Sequence, residues 1–375
     1  MNVQQLSLKE GTWLKAIDAL NINCDLCLVF ASPDFKATQA VVDTLKRQFP
    51  KTLIAGCSTA GEISNVSVED KTISLTAIQF ETTKSKLVSF DIKSSDCSFD
   101  RGQKIATELM GNDLKHVLIF SDGLNVNGAD LVSGLKSKFS NVSITGGLAG
   151  DGADFKKTFV IANDQIADKT VVGLGLYGKD LSVGYGSKGG WDSFGIERMV
   201  TKSKKNVLYE LDGMPALNLY KSFLGEQAKN LPLSALLFPL SMRCHENNRP
   251  IVRTILGVNE ADQSLTFAGN ITENSYVRLM KSNIDRLIDG AEDSAILANQ
   301  TLNCETELAI LISCVGRRLV MKQMVEEEVE AVKETIGKKA SITGFYSYGE
   351  IAPFEKFSPC ELHNQTMTVT TLSEC

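Results

Sequence analysis

A chain of 375 residues with 43% hydrophobic and 22% charged residues has the make-up of a globular protein. It is too long for one ordinary core, so two domains are expected. The net charge of −6, with no basic run longer than Lys202–Lys205, excludes general nucleic-acid binding. There is no basic, apolar leader at the N-terminus and no membrane-length apolar stretch, so the chain is expected in the cytoplasm without membrane insertion, its nine cysteines mostly thiols.

In chain order, Cys24-x-x-Cys27 leads into the apolar strand Leu26–Phe30. No second CxxC completes a zinc site, which leaves a structural or a redox reading of the pair. Val41, Leu45 and Phe49 recur at helical spacing and predict a helix near 36–49, followed by a strand and glycine at 53–56. Residues 72–78 and 87–92 alternate like antiparallel strands. The strand–helix–strand order returns at 116–123, 127–139 (Leu131, Leu135 and Phe139 in step) and 142–147. Residues 153–160 and 170–177 look strand-like.

Asp212-Gly-Met-Pro215 suits a helix start and marks a domain boundary, giving domains 1–212 and 213–375. A helix follows at 216–223. Strands at 251–258 and 264–269 flank a turn, and a long helix is expected over 276–302. A third strand–helix–strand unit occupies 308–314, 318–336 and 341–344, and a strand at 367–372 closes the chain. The class is α/β: two related α/β halves with mixed sheets, repeated strand–helix–strand units and Gly-rich loops. Short right-handed crossovers place those loops at one sheet edge, where α/β proteins bind ligands.

Two loops carry nearly the same text. Gly56-Cys-Ser-Thr-Ala-Gly-Glu-Ile63 returns about 290 residues later as Gly344-Phe-Tyr-Ser-Tyr-Gly-Glu-Ile351. Glu62 and Glu350 are thus equivalent, and they are expected near one shared cleft as a charge partner for an ammonium group or an acid/base pair. Each could instead cap its own loop. Cys57 and Ser58 follow a strand as a nucleophile would, yet no Gly-x-Ser-x-Gly elbow is present. An enzyme using Glu62/Glu350 or Cys57 is the alternative to a non-catalytic binding protein. Gly147 and Asp151 belong to a third glycine loop without phosphate-loop residues. Trp191 lies in a Gly-rich stretch that reads as pocket wall or core. Among the histidines, His116 reads as a strand-edge residue, whereas His363 and its neighbour Asn364 sit in a polar cluster before the last strand.

Together, Gly56–Ile63, Gly146–Asp151, Gly190–Gly195, Glu210–Ala216, Gly344–Ile351 and Glu361–Thr366 resemble, in order, the FIST family of two-part sensory domains (FIST N and FIST C). That resemblance implies a cytosolic small-molecule sensor in signal transduction. An amino-acid-like ligand would be held by Cys57, Ser58, Glu62, Gly147, Asp151, Trp191, Tyr346, Tyr348, Glu350, His363 and Asn364. It also implies output through a separate signalling protein such as a histidine kinase of a two-component system. One free-standing branch suggests the alternative of a haem-binding nitric-oxide sensor, with His363 or His245 as axial ligand. No CxxCH motif for covalent haem is present.

Overall fold

The computed structural model describes residues 1–375 except Ser140, 245–248 and Asn303. His245 therefore lies outside the described residues. The chain builds one seven-part unit three times. The first unit is β1 (Asn2–Leu8), α1 (Trp13–Asp18), β2 (Leu26–Ala31), α2 (Thr38–Gln48), β3 (Leu53–Ser58), the hairpin β4–β5 (Glu62–Ser64, Ser67–Glu69) and β6 (Ile73–Gln79). The second is β7 (Lys84–Asp91), α3 (Ser98–Leu109), β8 (Leu114–Ser121), α4 (Gly128–Lys136), β9 (Ser143–Leu148), β10–β11 (Val160–Ala162, Gln165–Ala167) and β12 (Thr170–Tyr177).

The third unit opens with β13 (Leu181–Lys188) and is then interrupted. The insertion folds as a separate sheet, of β14 (Asp192–Lys204), β15 (Val207–Leu211), β16 (Met214–Pro215), β17 (Leu240–Arg243), β18 (Ile251–Arg253), β19 (Ile255–Asn259), β20 (Ser264–Phe267) and β21 (Tyr276–Lys281). The helix α5 (Ala216–Leu224) packs on it, with Leu217 and Tyr220 in its core. The unit resumes at α6 (Ile284–Asn299), β22 (Leu308–Cys314), α7 (Val315–Met321), α8 (Val325–Ile336), β23 (Ser341–Ser347), β24–β25 (Gly349–Pro353, Cys360–His363) and β26 (Met367–Glu374).

The class is mixed α/β, as expected, and all three predicted strand–helix–strand units form parallel pairs: β2 with β3, β8 with β9, β22 with β23. Helices form where apolar residues repeat and a cap is at hand; Asn127 Oδ1 accepts from Asp130 N, and Asn283 Oδ1 from Asp285 N. The expected helix over 276–302 is corrected. Residues 276–281 pair in register with β14 as a strand, and the helix starts only after the Asn283 cap. The stretch 153–159 is loop, and pairing begins at Val160. The boundary expected near 212 falls inside the insertion, between β15 and β16.

The hairpins do not complete their own sheets. The sheet orders are β1-β6-β2-β3-β10-β11, β7-β12-β8-β9-β24-β25 and β13-β26-β22-β23-β4-β5. Unit one gives its hairpin to unit three, unit three to unit two, and unit two to unit one, so the exchange closes a ring. Inner faces of the three sheets share one core holding Phe30, Phe120 and Phe345, whose ring centroids lie 4.8–6.3 Å apart. Gly147 makes room for it. A Cβ there would stand 2.7 Å from Ile312 Cγ2 and 3.2 Å from Phe345 Cζ.

Candidate functional site

The three glycine loops meet at one end of this ring and are joined by backbone hydrogen bonds in rotation. Ala60 N donates to Tyr346 O (2.8 Å), Gly150 N to Ser58 O (3.0 Å), and Tyr348 N to Leu148 O (3.1 Å). Register makes Ala60, Gly150 and Tyr348 equivalent, and likewise Ser58, Leu148 and Tyr346. Sequence-distant loops are thereby brought together, in a packed junction.

Glu62 and Glu350 have matching environments. Glu62 Oε2 accepts from Thr72 N (3.1 Å) and Oγ1 (2.8 Å), and Oε1 from Thr59 Oγ1. Glu350 Oε2 accepts from Thr366 N (3.2 Å) and Oγ1 (3.0 Å), and Oε1 from Ser347 Oγ (2.6 Å). Thr72 and Thr366 stand at equivalent places, one residue before the strands that flank β2 and β22. Each glutamate therefore fastens an exported hairpin to its own unit. Burial raises the Glu62 carboxyl to about 7 and the Glu350 carboxyl to about 8, against the lowering by their hydroxyl and amide donors. In unit two Asp122 takes the corresponding part, accepting from Thr158 Oγ1 (3.0 Å) and Lys169 N (3.2 Å). Its role is not visible in the motifs, because this acid follows the end of β8 instead of opening the hairpin as Glu62 and Glu350 do.

The other predicted residues are engaged locally. Cys57 is fully buried, and burial pushes its thiol up. Ser58 Oγ accepts from Phe159 N (3.0 Å). Asp151 accepts from the backbone N–H groups of Phe155 (2.9 Å), Lys156 (2.7 Å) and Lys157 (2.7 Å), and from the Tyr348 hydroxyl; the Tyr348 ring stacks on Phe155 at 4.3 Å. Trp191 Nε1 donates to Gln365 O (2.9 Å). Tyr346 Oη donates to Glu328 Oε1 (2.6 Å), part of a buried cluster in which Arg317 grips Glu328 Oε2 through Nε (3.0 Å) and Nη2 (2.6 Å). That cluster escaped the sequence reading, since a helix break between Arg317 and Glu328 hides their proximity. Asn364 Oδ1 accepts from Thr254 N at 3.5 Å, and its buried Nδ2 has no partner among the described residues. His116 is not an edge residue. It occupies the inner core position matched by Leu26 and Leu308, between Ser143 Oγ (2.7 Å) and Thr145 Oγ1 (3.0 Å), and burial lowers it to about 3.

His363 is fully enclosed. Its Nε2 bonds Ala352 O (2.8 Å), its ring meets Phe354 edge-on at 4.2 Å, and burial lowers it to about 4. A haem iron at His363 would need that bond broken and Phe354 displaced, so the residues as arranged do not fit haem there. Among the described residues no group of three or more His, Cys, Asp or Glu could hold a metal ion.

Open volume lies elsewhere. A cleft of about 1160 Å3 runs between unit two and the later part of the chain. Phe139, Ile144, Tyr185 and Cys360 line it, with Cys360 Sγ 3.4 Å from Ile144 O, and Lys136 and Lys179 are among the charged residues. Lys136 Nζ is 2.7 Å from Glu361 Oε1. Cys375 also lines it, and Cys375 forms a disulfide with Cys304; the other seven cysteines are free. A second depression, about 780 Å3, lies wholly on unit two along α3. None of the residues singled out in the glycine loops lines either volume. The cleft residues come from loops and strand ends scattered between 115 and 375, a dispersal with no motif; only Tyr185 lies in a stretch marked by its glycines.

Residues 25–214 match the FIST N domain and residues 216–353 the FIST C domain. An uncharacterized protein of Methanocaldococcus jannaschii, MJ1623, is 26% identical over 347 residues, covering 83% of this chain and 66% of that protein. The chain thus spans just under two thirds of that relative's length. The crystal structure of cyanuric acid hydrolase from A. caulinodans aligns over 99% of both chains at 7% identity, with a TM-score of 0.37. No helix among the described residues is long and apolar enough to cross a membrane.

Proposed function

The chain belongs to the FIST family, and we propose that it is a non-catalytic sensor whose ligand occupies the cleft beside Tyr185. FIST domains are small-molecule-sensing signal-transduction domains. The observation that carries the reading is the cleft itself: about 1160 Å3, lined by residues between 115 and 185 of the FIST N segment and by residues from Thr301 onward. Pockets of this order hold small organic ligands, with an apolar body against the walls and a few polar groups fixing orientation. Phe139, Ile144 and Tyr185 supply the apolar walls. With Lys136 paired to Glu361, Lys115 and Lys179 face one lining acidic side chain, Asp180, so the charge favours a carboxylate. An amino-acid-like or similar carboxylated metabolite matches both features. The signal would pass to a separate signalling protein, of which a histidine kinase is the candidate.

Glu62 and Glu350, saturated by their own donors, hold the frame around this cleft rather than the ligand. A thermal-shift screen of amino acids and other carboxylated metabolites tests the reading. A true ligand at 100 times its dissociation constant adds about 2.7 kcal/mol to stability. Tyr185→Ala and Lys136→Ala should weaken that shift at least tenfold in ligand concentration, while Glu62→Gln leaves it in place. A shift abolished by Glu62→Gln and untouched by Tyr185→Ala would refute the placement. No shift with any carboxylate would refute the ligand class.

A further inference from the structure

Cys24 and Cys27 take no part in the cleft or in the ring of loops. They lie at the opposite end of unit one, Cys24 in the turn that enters β2 and Cys27 as the second residue of that strand. Their sulfurs stand 3.2 Å apart, close enough to share a hydrogen bond. Thr52 Oγ1 donates to Cys24 Sγ at 3.4 Å, which holds that side chain against its neighbour. The backbone around them is fixed: Asp25 N donates to Ile78 O (2.9 Å) and Leu53 N to Asp25 O (3.0 Å). Cys24 keeps 8% of its surface exposed, and Cys27 none.

Geometry separates this pair from the other core thiols. Among the described residues, Cys57, Cys314 and Cys360 are buried with no second sulfur in hydrogen-bond contact, and burial pushes each thiol up. The hydrogen bond from Cys27 lowers Cys24 to about 7, despite burial. A thiolate at the surface edge with a thiol directly behind it is the arrangement of an attacking and a resolving cysteine.

We propose that Cys24 and Cys27 form a reversible dithiol–disulfide couple oxidised by small hydroperoxides. The Cys24 thiolate attacks a peroxide oxygen, the O–O bond breaks, and the leaving oxygen takes a proton to depart as water or an alcohol. Cys24 becomes a sulfenic acid. Cys27 then loses its proton and attacks the Cys24 sulfur; the S–O bond breaks, the hydroxide takes that proton, and a second water leaves. Two thiols and one hydroperoxide give one disulfide, with two electrons passing from sulfur to oxygen. Forming the bond shortens the sulfur–sulfur separation from 3.2 Å to the roughly 2.05 Å of a disulfide. An external dithiol of the thioredoxin class returns the pair to thiols by exchange.

The test uses the intact chain. Native protein is exposed to hydrogen peroxide, quenched with catalase, unfolded, alkylated with N-ethylmaleimide and mapped by mass spectrometry. The expected result is a peptide holding Cys24 and Cys27 that has lost two hydrogens and resists alkylation. It should form at least tenfold faster than Cys57 is lost, and dithiothreitol should reverse it. In Cys27→Ser the disulfide should be missing and Cys24 should be captured by dimedone as a sulfenic acid. Cys27→Val is the second variant should the serine not fold. Equal alkylation of Cys24 and Cys57 after peroxide would overturn the proposal. So would conversion of wild-type Cys24 to a sulfinic acid without a disulfide.

Discussion

Replacing Glu350 by Gln should change the pH dependence of stability more than stability itself. The buried carboxyl is held protonated up to about 8, whereas in the unfolded chain it ionises near 4.5. A raised folded-state value means that its contribution is fully present below 4.5 and drains away as pH rises towards 8. Each unit corresponds to about 1.4 kcal/mol, so the whole range spans about 5 kcal/mol and the interval from pH 5.5 to 7.5 about 3 kcal/mol. Gln copies the protonated acid. Its carbonyl can accept from Thr366 N and Oγ1, and its amide can donate to Ser347 Oγ. Urea unfolding of wild type and Glu350→Gln at both pH values isolates this group, because every other titration is common to the two proteins. The variant should gain about 3 kcal/mol on wild type between pH 5.5 and 7.5. A stability gap that stays constant, or moves the other way, would show that the carboxyl is ionised in the fold and that the hairpin fastening has been misjudged.

Crowding at the axis gives a second expectation. Gly147→Ala puts a methyl against Ile312 and Phe345 and should cost about 1–3 kcal/mol by chemical denaturation. Phe345→Ala, which empties the same place, should cost about 3–5 kcal/mol. Glu328→Gln strips the fully buried Arg317 of its counter-charge, and a loss of about 3–5 kcal/mol is expected in the same assay. Asn127→Ala removes the cap of α4 together with its bond to Asn270 Oδ1 (2.8 Å), and should lower stability by about 1–2 kcal/mol.

The repeated units were legible because their signals are local: unbroken apolar strands such as Leu308–Cys314, helices with Val41 and Leu45 in step, and a glycine where the chain leaves each third strand. Partner choice was not. Nothing near Glu62 says that it will lie opposite Phe345, since strand pairing across most of the chain leaves no periodic trace. Residues 276–281 were misread for a related reason. Their apolar residues run on into the helical period that begins at Ile284, and only pairing with β14 settles them as a strand. The equivalence of Glu62 and Glu350 was visible; their fastening to Thr72 and Thr366 was not, because those threonines follow at unequal distances. The cleft is a product of assembly, with walls from segments that no motif joins.

The exchange of hairpins bears on how the protein is made. The β4–β5 hairpin leaves the ribosome long before its edge partner β23 exists. At about 5–20 residues per second, the intervening stretch of roughly 280 residues takes between a quarter of a minute and a minute to synthesise. For about the first third of that wait, until residues 160–162 emerge, the outer edge of β3 also lacks β10, so the nascent first unit then carries unpaired backbone on both the hairpin it will export and the edge it must have filled. A second nascent chain alongside offers the same edges in the same register. Neighbouring ribosomes on one message could therefore trade hairpins between molecules, and a closed ring within one chain depends on keeping those chains apart until residue 374 has emerged.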